Sequence, residues 1–184
     1  VFEKQDAADW LEAEPLWSIL EGHGIATAAY HWVGSEGAPA GGRAPRHWRP
    51  FSKRTRESAK VEQILAWLDL PESEGRPHFV ATWFRGADHA GHETGPGSED
   101  VHEALLAQDP AIAALVRGLE ERGLFASTTL LFVSDHGMLR AQRRIDLGAR
   151  LWEQGIRARV FGIGGFASID FGEQATREPG LPQR

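Results

Sequence analysis

Two short runs, Phe79-Val80-Ala81-Thr82-Trp83-Phe84 and Thr128-Thr129-Leu130-Leu131-Phe132-Val133, are apolar or β-branched at nearly every position. A strand wetted on one face alternates apolar and polar residues. A continuous run of this length suits a strand covered on both faces, as in a parallel sheet. The intervening sequence has a helical period: Val101, Leu105, Ile112, Leu115, Val116 and Leu119 form one stripe ending at Gly123. Asp109-Pro110 either caps a second helix within it or kinks a single one. Upstream, Val61, Ile64, Leu65 and Leu68 predict a helix over Thr55 to Leu70, stopped by Pro71. Strands alternating with helices define an α/β fold, a mainly parallel sheet flanked by helices.

The remaining elements follow from local signals. In the stretch Ala7 to Glu21 the second half, from Pro15, predicts a helix ended near Gly22 and Gly24, and Ile25 to Tyr30 a short buried strand. Gly34 to Pro50, rich in Gly, Pro and Arg, reads as a long surface loop that rims a binding site and brings Trp32 and Trp48 toward it. Leu147 to Gln154 predicts a helix ending at Gly155, and Arg157 to Ile163 and Phe166 to Phe171 two further strands. The tail after Gly172 reads as loose.

The chain has 184 residues, suited to one domain, and its 41% hydrophobic and 25% charged residues mark a globular chain. A net charge of −6 gives no footprint for a nucleic-acid polymer. The basic residues Arg43, Arg46, Arg49, Lys53, Arg54 and Arg56 read as a solvated loop. Cysteine is absent, which excludes disulfides and thiolate zinc sites, so any metal must rest on His, Asp, Glu or hydroxyl groups. No apolar run approaches the length of a membrane span, and no signal peptide is visible. The chain opens Val1-Phe2-Glu3-Lys4 without an initiator Met, so Val1 is read as lying inside a longer protein.

Two motifs carry candidate chemistry. Asp88-His89-Ala90-Gly91-His92 follows the first apolar run within a few residues, and Ser134-Asp135-His136-Gly137-Met138 follows the second directly. In open α/β sheets ligands bind beyond the carboxyl ends of strands. An Asp and a His four residues apart can reach one ion from a single helical turn. Carboxylate oxygen and imidazole nitrogen suit zinc. Alone, the first motif reads equally well as a solvated loop, and the second as an Asp that caps the next element beside an exposed His. Together they predict Asp88, His92, Asp135 and His136 clustered at one sheet edge, the arrangement of a two-metal site for displacement at phosphorus.

The text around these motifs is similar to the nucleotide pyrophosphatase/phosphodiesterase family of the alkaline phosphatase superfamily. The matching segments are Pro15-Leu16-Trp17, Tyr30-His31-Trp32-Val33-Gly34-Ser35-Glu36, Leu65 to Pro71, Asp88-x-x-Gly91-His92-x-x-Gly95-Pro96-x-Ser98 and Phe132 to Met138. They cover roughly residues 10 to 140, and beyond Met138 the resemblance fades. The resemblance implies an alkaline phosphatase-like fold, incomplete here, with residues 1–184 as a central fragment of one catalytic domain. It implies hydrolysis of phosphodiester or pyrophosphate bonds, with Asp88 and His92 on one zinc ion and Asp135 and His136 on a second in the complete domain. Ser134 and Gly137 would shape the turn, and His89 falls at a variable position.

The departures also count. The family's nucleophilic Thr, an Asp ligand before it and a later His ligand have no counterpart in this sequence. No catalytic residue is therefore assigned, and His23, His31, His47, His78 and His102 stand in the wrong context to replace the missing His. The 184-residue chain made alone is expected not to turn over a phosphodiester at a useful rate. Thr94 stands where the family often has an aromatic that stacks on a nucleobase, leaving phosphodiesters other than nucleotides open as small-molecule partners. Arg85-Gly86-Ala87 replaces an acidic, Pro-containing stretch; Arg85 there could attract a phosphate, although an exposed side chain is the simpler reading. The alternatives are a non-catalytic member of the same fold and a phosphomonoester or sulfate ester hydrolase. By resemblance alone the compartment would be extracellular or periplasmic.

Overall fold

The computed structural model describes residues 11–39, 41–162 and 165–172. It divides into two units, Val1–Met138 and Leu139–Arg184. In the first, helix α1 (Leu16–Gly22) leads into strand β1 (Thr27–Tyr30), followed by β2 (His47–Arg49), α2 (Glu57–Leu68), β3 (Phe79–Thr82), α3 (Gly86–Thr94) and α4 (Glu99–Glu121). Short 3-10 turns occupy Glu72–Glu74 and Phe125–Ser127. The sheet is parallel, in the order β2-β1-β3, with Ala28 opposite His47 and Val80. The expected mainly parallel sheet with flanking helices is present.

β1 is the central strand, and all four of its residues are buried. Its Ala28 and Ala29 have small side chains, which let a helix lie close. Ala28, Tyr30, Ile64 and Trp67 form the core, with Leu68, Leu70, Val80 and Leu115 packed against it. The Trp67 ring lies 5.9 Å from Tyr30 and 5.8 Å from His47, so one α2 side chain covers both β1 and β2. α4 lies against α2 at Gly118, where a Cβ would come within 2.4 Å of Leu65 Cδ1. Gly118→Val should therefore cost about 2 kcal/mol, as overpacking does. Urea unfolding measures this, and a variant as stable as the parent would show that the two helices are not pressed together there.

A buried carboxylate ties three segments together. Glu21 Oε1, on α1, accepts hydrogen bonds from Thr27 N (2.6 Å), Thr27 Oγ1 (2.9 Å) and Arg46 N (3.0 Å). It thus fixes α1, the start of β1 and the residue before β2.

The structure corrects several expectations. Gly34 to Pro50 is not loop throughout, because His47–Arg49 pairs with Ala28 to Tyr30 as an edge strand. The strand expected over Phe79 to Phe84 ends at Thr82, and only its Ala81 is buried. β3 is an edge strand, and three of its four residues are only partly buried, so the cover expected on both its faces is incomplete. Thr128 to Val133 forms no strand: Leu131 is 81% and Val133 71% exposed. A strand needs a neighbour for its backbone N–H and C=O groups, and among the described residues none pairs with this run. α4 continues through Pro110 as one helix of 23 residues. Pro110 is on its exposed side, where water can satisfy the carbonyl that proline frees.

In the second unit, Asp146 caps α5 (Leu147–Glu153) by accepting from Ala149 N at 2.9 Å. β4 (Arg159–Phe161) and β5 (Ser168–Asp170) pair antiparallel, so both strands expected there form, shorter than predicted. The Gly172 amide and the Arg159 guanidinium hold the Asp170 carboxyl below its usual range. Ala7 to Trp10, Ile163 and the tail from Glu173 lie outside the described residues. Among the described residues no helix is long and apolar enough to cross a membrane.

Candidate functional site

Three residues separate the end of β3 from α3, so the first motif stands just beyond the carboxyl end of a sheet strand. α3 begins at Gly86, whose missing Cβ leaves room for the Gln108 amide of α4 (a Cβ there would come within 2.4 Å). With its oxygen toward the helix, that amide accepts from Gly86 N at 3.0 Å and Ala87 N at 3.2 Å, satisfying two of the otherwise orphaned donors of the first turn. Gly95, at φ 91°, ends α3, and Ser98 caps α4 by accepting from Val101 N at 3.4 Å. The Gly95-Pro96-x-Ser98 segment is thus the turn that joins two helices.

On α3, Asp88 and His92 are one turn apart and face each other, with His92 Nε2 3.4 Å from Asp88 Oδ1. Gly91, between them, is buried, and a Cβ there would meet Met138 Sδ at 2.7 Å. The glycine lets Met138 rest on α3, which brings the second motif to the first. His136 Nε2 consequently lies 3.8 Å from the same Asp88 Oδ1 and 3.7 Å from Asp135 Oδ2. The turn is closed by Ser134 Oγ, which donates to His136 O at 2.6 Å, and by Asp135 Oδ1, which accepts from His136 N at 3.0 Å.

Asp88 Oδ1 is the centre of this group: it is buried and has no hydrogen-bond partner. A desolvated carboxylate oxygen without a partner is costly. Two imidazole nitrogens at 3.4 and 3.8 Å are too far for good hydrogen bonds. His136 Nδ1 is 2.9 Å from the Gly137 carbonyl, and donation there leaves Nε2 directed to Asp88. That hydrogen bond, with the charges of Asp135 and Asp88, raises the His136 pKa.

Of the four predicted residues, then, Asp88, His92 and His136 meet at one carboxylate oxygen. Asp135, with its side chain 78% exposed, joins them only through His136. Among the described residues no group of three or more acidic or imidazole side chains is set to hold an ion as it stands. His89 faces away, toward Glu93 at 3.4 Å.

Sequence reasoning set His31 aside as standing in the wrong context for a metal ligand. It directly follows β1, at the same carboxyl edge as the two motifs, and that position was the available signal. It is buried, with φ 56°, a left-handed conformation uncommon outside glycine. Burial, together with the Lys60 charge, lowers its pKa to about 4.

Fold and cluster together define an α/β protein with acid and imidazole groups gathered where its strands end. A family model for type I phosphodiesterase/nucleotide pyrophosphatase matches residues 1–177. The rat ectonucleotide pyrophosphatase/phosphodiesterase family member 3 is 35% identical over 136 residues, 74% of this chain and 15% of that protein. A venom phosphodiesterase of Macrovipera lebetinus is 35% identical over 129 residues, 70% of this chain and 15% of its own. Among solved structures, an inactive form of murine ectonucleotide pyrophosphatase/phosphodiesterase 5 in complex with AMP superposes with a TM-score of 0.54 at 22% identity. That match covers 65% of this chain and 31% of the murine one. This chain belongs to the type I phosphodiesterase/nucleotide pyrophosphatase family. It spans 15% of the length of the curated relatives named here.

Proposed function

We propose that the chain is part of a zinc-dependent hydrolase of phosphodiester or pyrophosphate bonds, with Asp88 and His92 serving one ion and Asp135 and His136 a second. The observation that carries this reading is the buried, unpartnered Asp88 Oδ1 between two imidazole Nε2 atoms. Ligands bound tetrahedrally at about 2.0–2.1 Å stand roughly 3.3 Å apart, close to the 3.4 Å between Asp88 and His92. The donor set, carboxylate and imidazole without thiolate, suits zinc. When bound, zinc ions polarise phosphoryl oxygens and steady the charge on a leaving oxygen.

The chain's own residues prepare that site. The Gly137 carbonyl selects the His136 tautomer that turns Nε2 inward. The Gly91–Met138 contact holds the two motifs together. Membership of the family supports a phosphodiester substrate. The AMP complex of the murine relative makes a nucleotide a fitting candidate.

Zinc titration against a chromophoric chelator tests the reading. Asp88→Ala should weaken zinc binding about 100-fold or more, beyond what loss of an outer-shell partner causes, while His89→Ala should leave it unchanged. Equal zinc affinity in the parent and in Asp88→Ala would overturn the assignment.

A further inference from the structure

A cavity with a volume near 170 Å³ opens beyond the ends of β1 and β3, between His31 and Arg85. Its walls include His31, Ser52, Lys53, Thr55, Lys60 and Arg85, from the segment after β1, the chain leading to α2, α2 itself and the residue before α3. We propose that this cavity is an anion site that takes a single tetrahedral oxyanion of the phosphate type. The proposal goes beyond the zinc reading and does not depend on it.

Charge is the first support. Lys53, Lys60 and Arg85 face a single carboxylate in the lining, Glu57. That carboxylate is 2.8 Å from Lys60 Nζ. Among the described residues Lys53 and Arg85 have no side-chain hydrogen bond or ion pair. Two cations therefore remain uncompensated at the cavity wall.

Preorganisation is the second. Lys60 is 1% exposed, and its Nζ donates to Trp83 O at 2.6 Å. An ammonium has three donors; the Trp83 carbonyl takes one, and Glu57 Oε2 at 2.8 Å is an ion-pair partner without a hydrogen bond, so donor capacity is left for a ligand. Arg85 offers five donors in a planar fork that suits phosphate oxygens. The His31 imidazole has no ring hydrogen bond among the described residues. It is held edge-on to Phe51, with ring centroids 5.4 Å apart. Its left-handed backbone at the end of the central strand is the kind of strain that collects at binding sites.

Size sets the ligand class. Clefts for drug-sized ligands run to roughly 300–1,000 Å³, so 170 Å³ holds a small charged group rather than a whole nucleoside. The first amides of α3 are not part of the site, since Gln108 accepts from them.

The test uses the chain with EDTA at low ionic strength, so that the metal motifs take no part. Inorganic phosphate is titrated by calorimetry, with the His31 imidazole resonances as the local reporter. The parent should bind phosphate saturably in the millimolar range or tighter, with His31 shifting along the same curve. The double variant Lys53→Gln/Arg85→Gln should weaken binding at least 10-fold. Both positions carry their charge at the cavity wall and not in the core, so the fold should be retained. Arg143→Gln/Arg144→Gln, in the other unit, should bind as the parent does. A second arm replaces inorganic phosphate with phenyl phosphate. Comparable affinity supports the site as one for a phosphoryl group on a larger molecule, and a preference for inorganic phosphate supports it as one for the free ion. Absence of saturable phosphate binding, or unchanged affinity in Lys53→Gln/Arg85→Gln, would overturn the proposal.

Discussion

Lys60→Met should destabilise the first unit by about 3 kcal/mol, the largest single-residue effect expected in the protein. Lys60 Nζ is buried between the Trp83 carbonyl at 2.6 Å and Glu57 Oε2 at 2.8 Å. Methionine keeps most of the aliphatic length, so the loss isolates the charge. It leaves a part-buried carbonyl without its donor and a buried carboxylate oxygen without its cation. Breaking one side of a buried pair costs about 3–5 kcal/mol. The lower end applies here because the Glu57 side chain remains 22% exposed. Denaturant unfolding at neutral pH gives the value. The double variant Lys60→Met/Glu57→Gln should recover part of the loss, since it no longer strands a charge. A single variant within 0.5 kcal/mol of the parent would show that the Lys60 contacts are energetically idle.

Acidification should destabilise the same unit through His31, by about 3 kcal/mol across the whole window. The ordinary imidazole pKa is 6.5, and that of His31 is lowered to about 4 by burial and by the neighbouring Lys60 charge. Between these values the unfolded chain takes a proton that the folded chain refuses, so unfolding gains ground as the pH falls. The contribution is fully present above pH 6.5 and is lost progressively down to about 4, below which the slope from this group vanishes. His31→Asn should flatten the pH dependence of the urea midpoint over that window. Asparagine tolerates the left-handed backbone better than most residues, so the variant should remain folded. A slope unchanged by His31→Asn would place the acid sensitivity elsewhere.

The sequence made the fold readable where burial and period agreed. β1 falls within the strand expected over Ile25 to Tyr30 and is fully buried, and the helical stripe at Val61, Ile64, Leu65 and Leu68 marked α2 to within two residues at each end. β2 escaped notice because Trp48 is the one strand-favouring residue in His47-Trp48-Arg49, in a stretch otherwise rich in Gly, Pro and Arg. Its conformation comes from the parallel ladder with Ala28, Ala29 and Tyr30. Thr128 to Val133 misled in the opposite sense: its apolar side chains report that a segment seeks cover, not that a neighbouring strand is present.

The candidate site divides along similar lines. Asp88 and His92 were legible because the i, i+4 spacing alone places them on one helical face. The approach of His136 depended on Met138 resting on Gly91, a tertiary contact that residue spacing does not announce. His31 and Lys60 belong to no short motif. One was set aside for its context and the other is a lysine, a residue type rarely buried unless paired.

The Glu21 carboxylate, which binds Thr27 and Arg46 through one oxygen, has a further consequence. The chain entering β1 and the chain arriving at β2 are pinned from outside the sheet, so β1 and the segment after it form a hoop clamped near both feet. Lengthening such a hoop costs little closure entropy, about 0.6 kcal/mol per doubling. Arg43 is tied to α1 through Ser18 Oγ and the Glu21 carbonyl, so the stretch Glu36 to Ala38 ahead of it is where this scaffold can gain or lose residues, and acquire new rim chemistry, without shifting the register of the strands below.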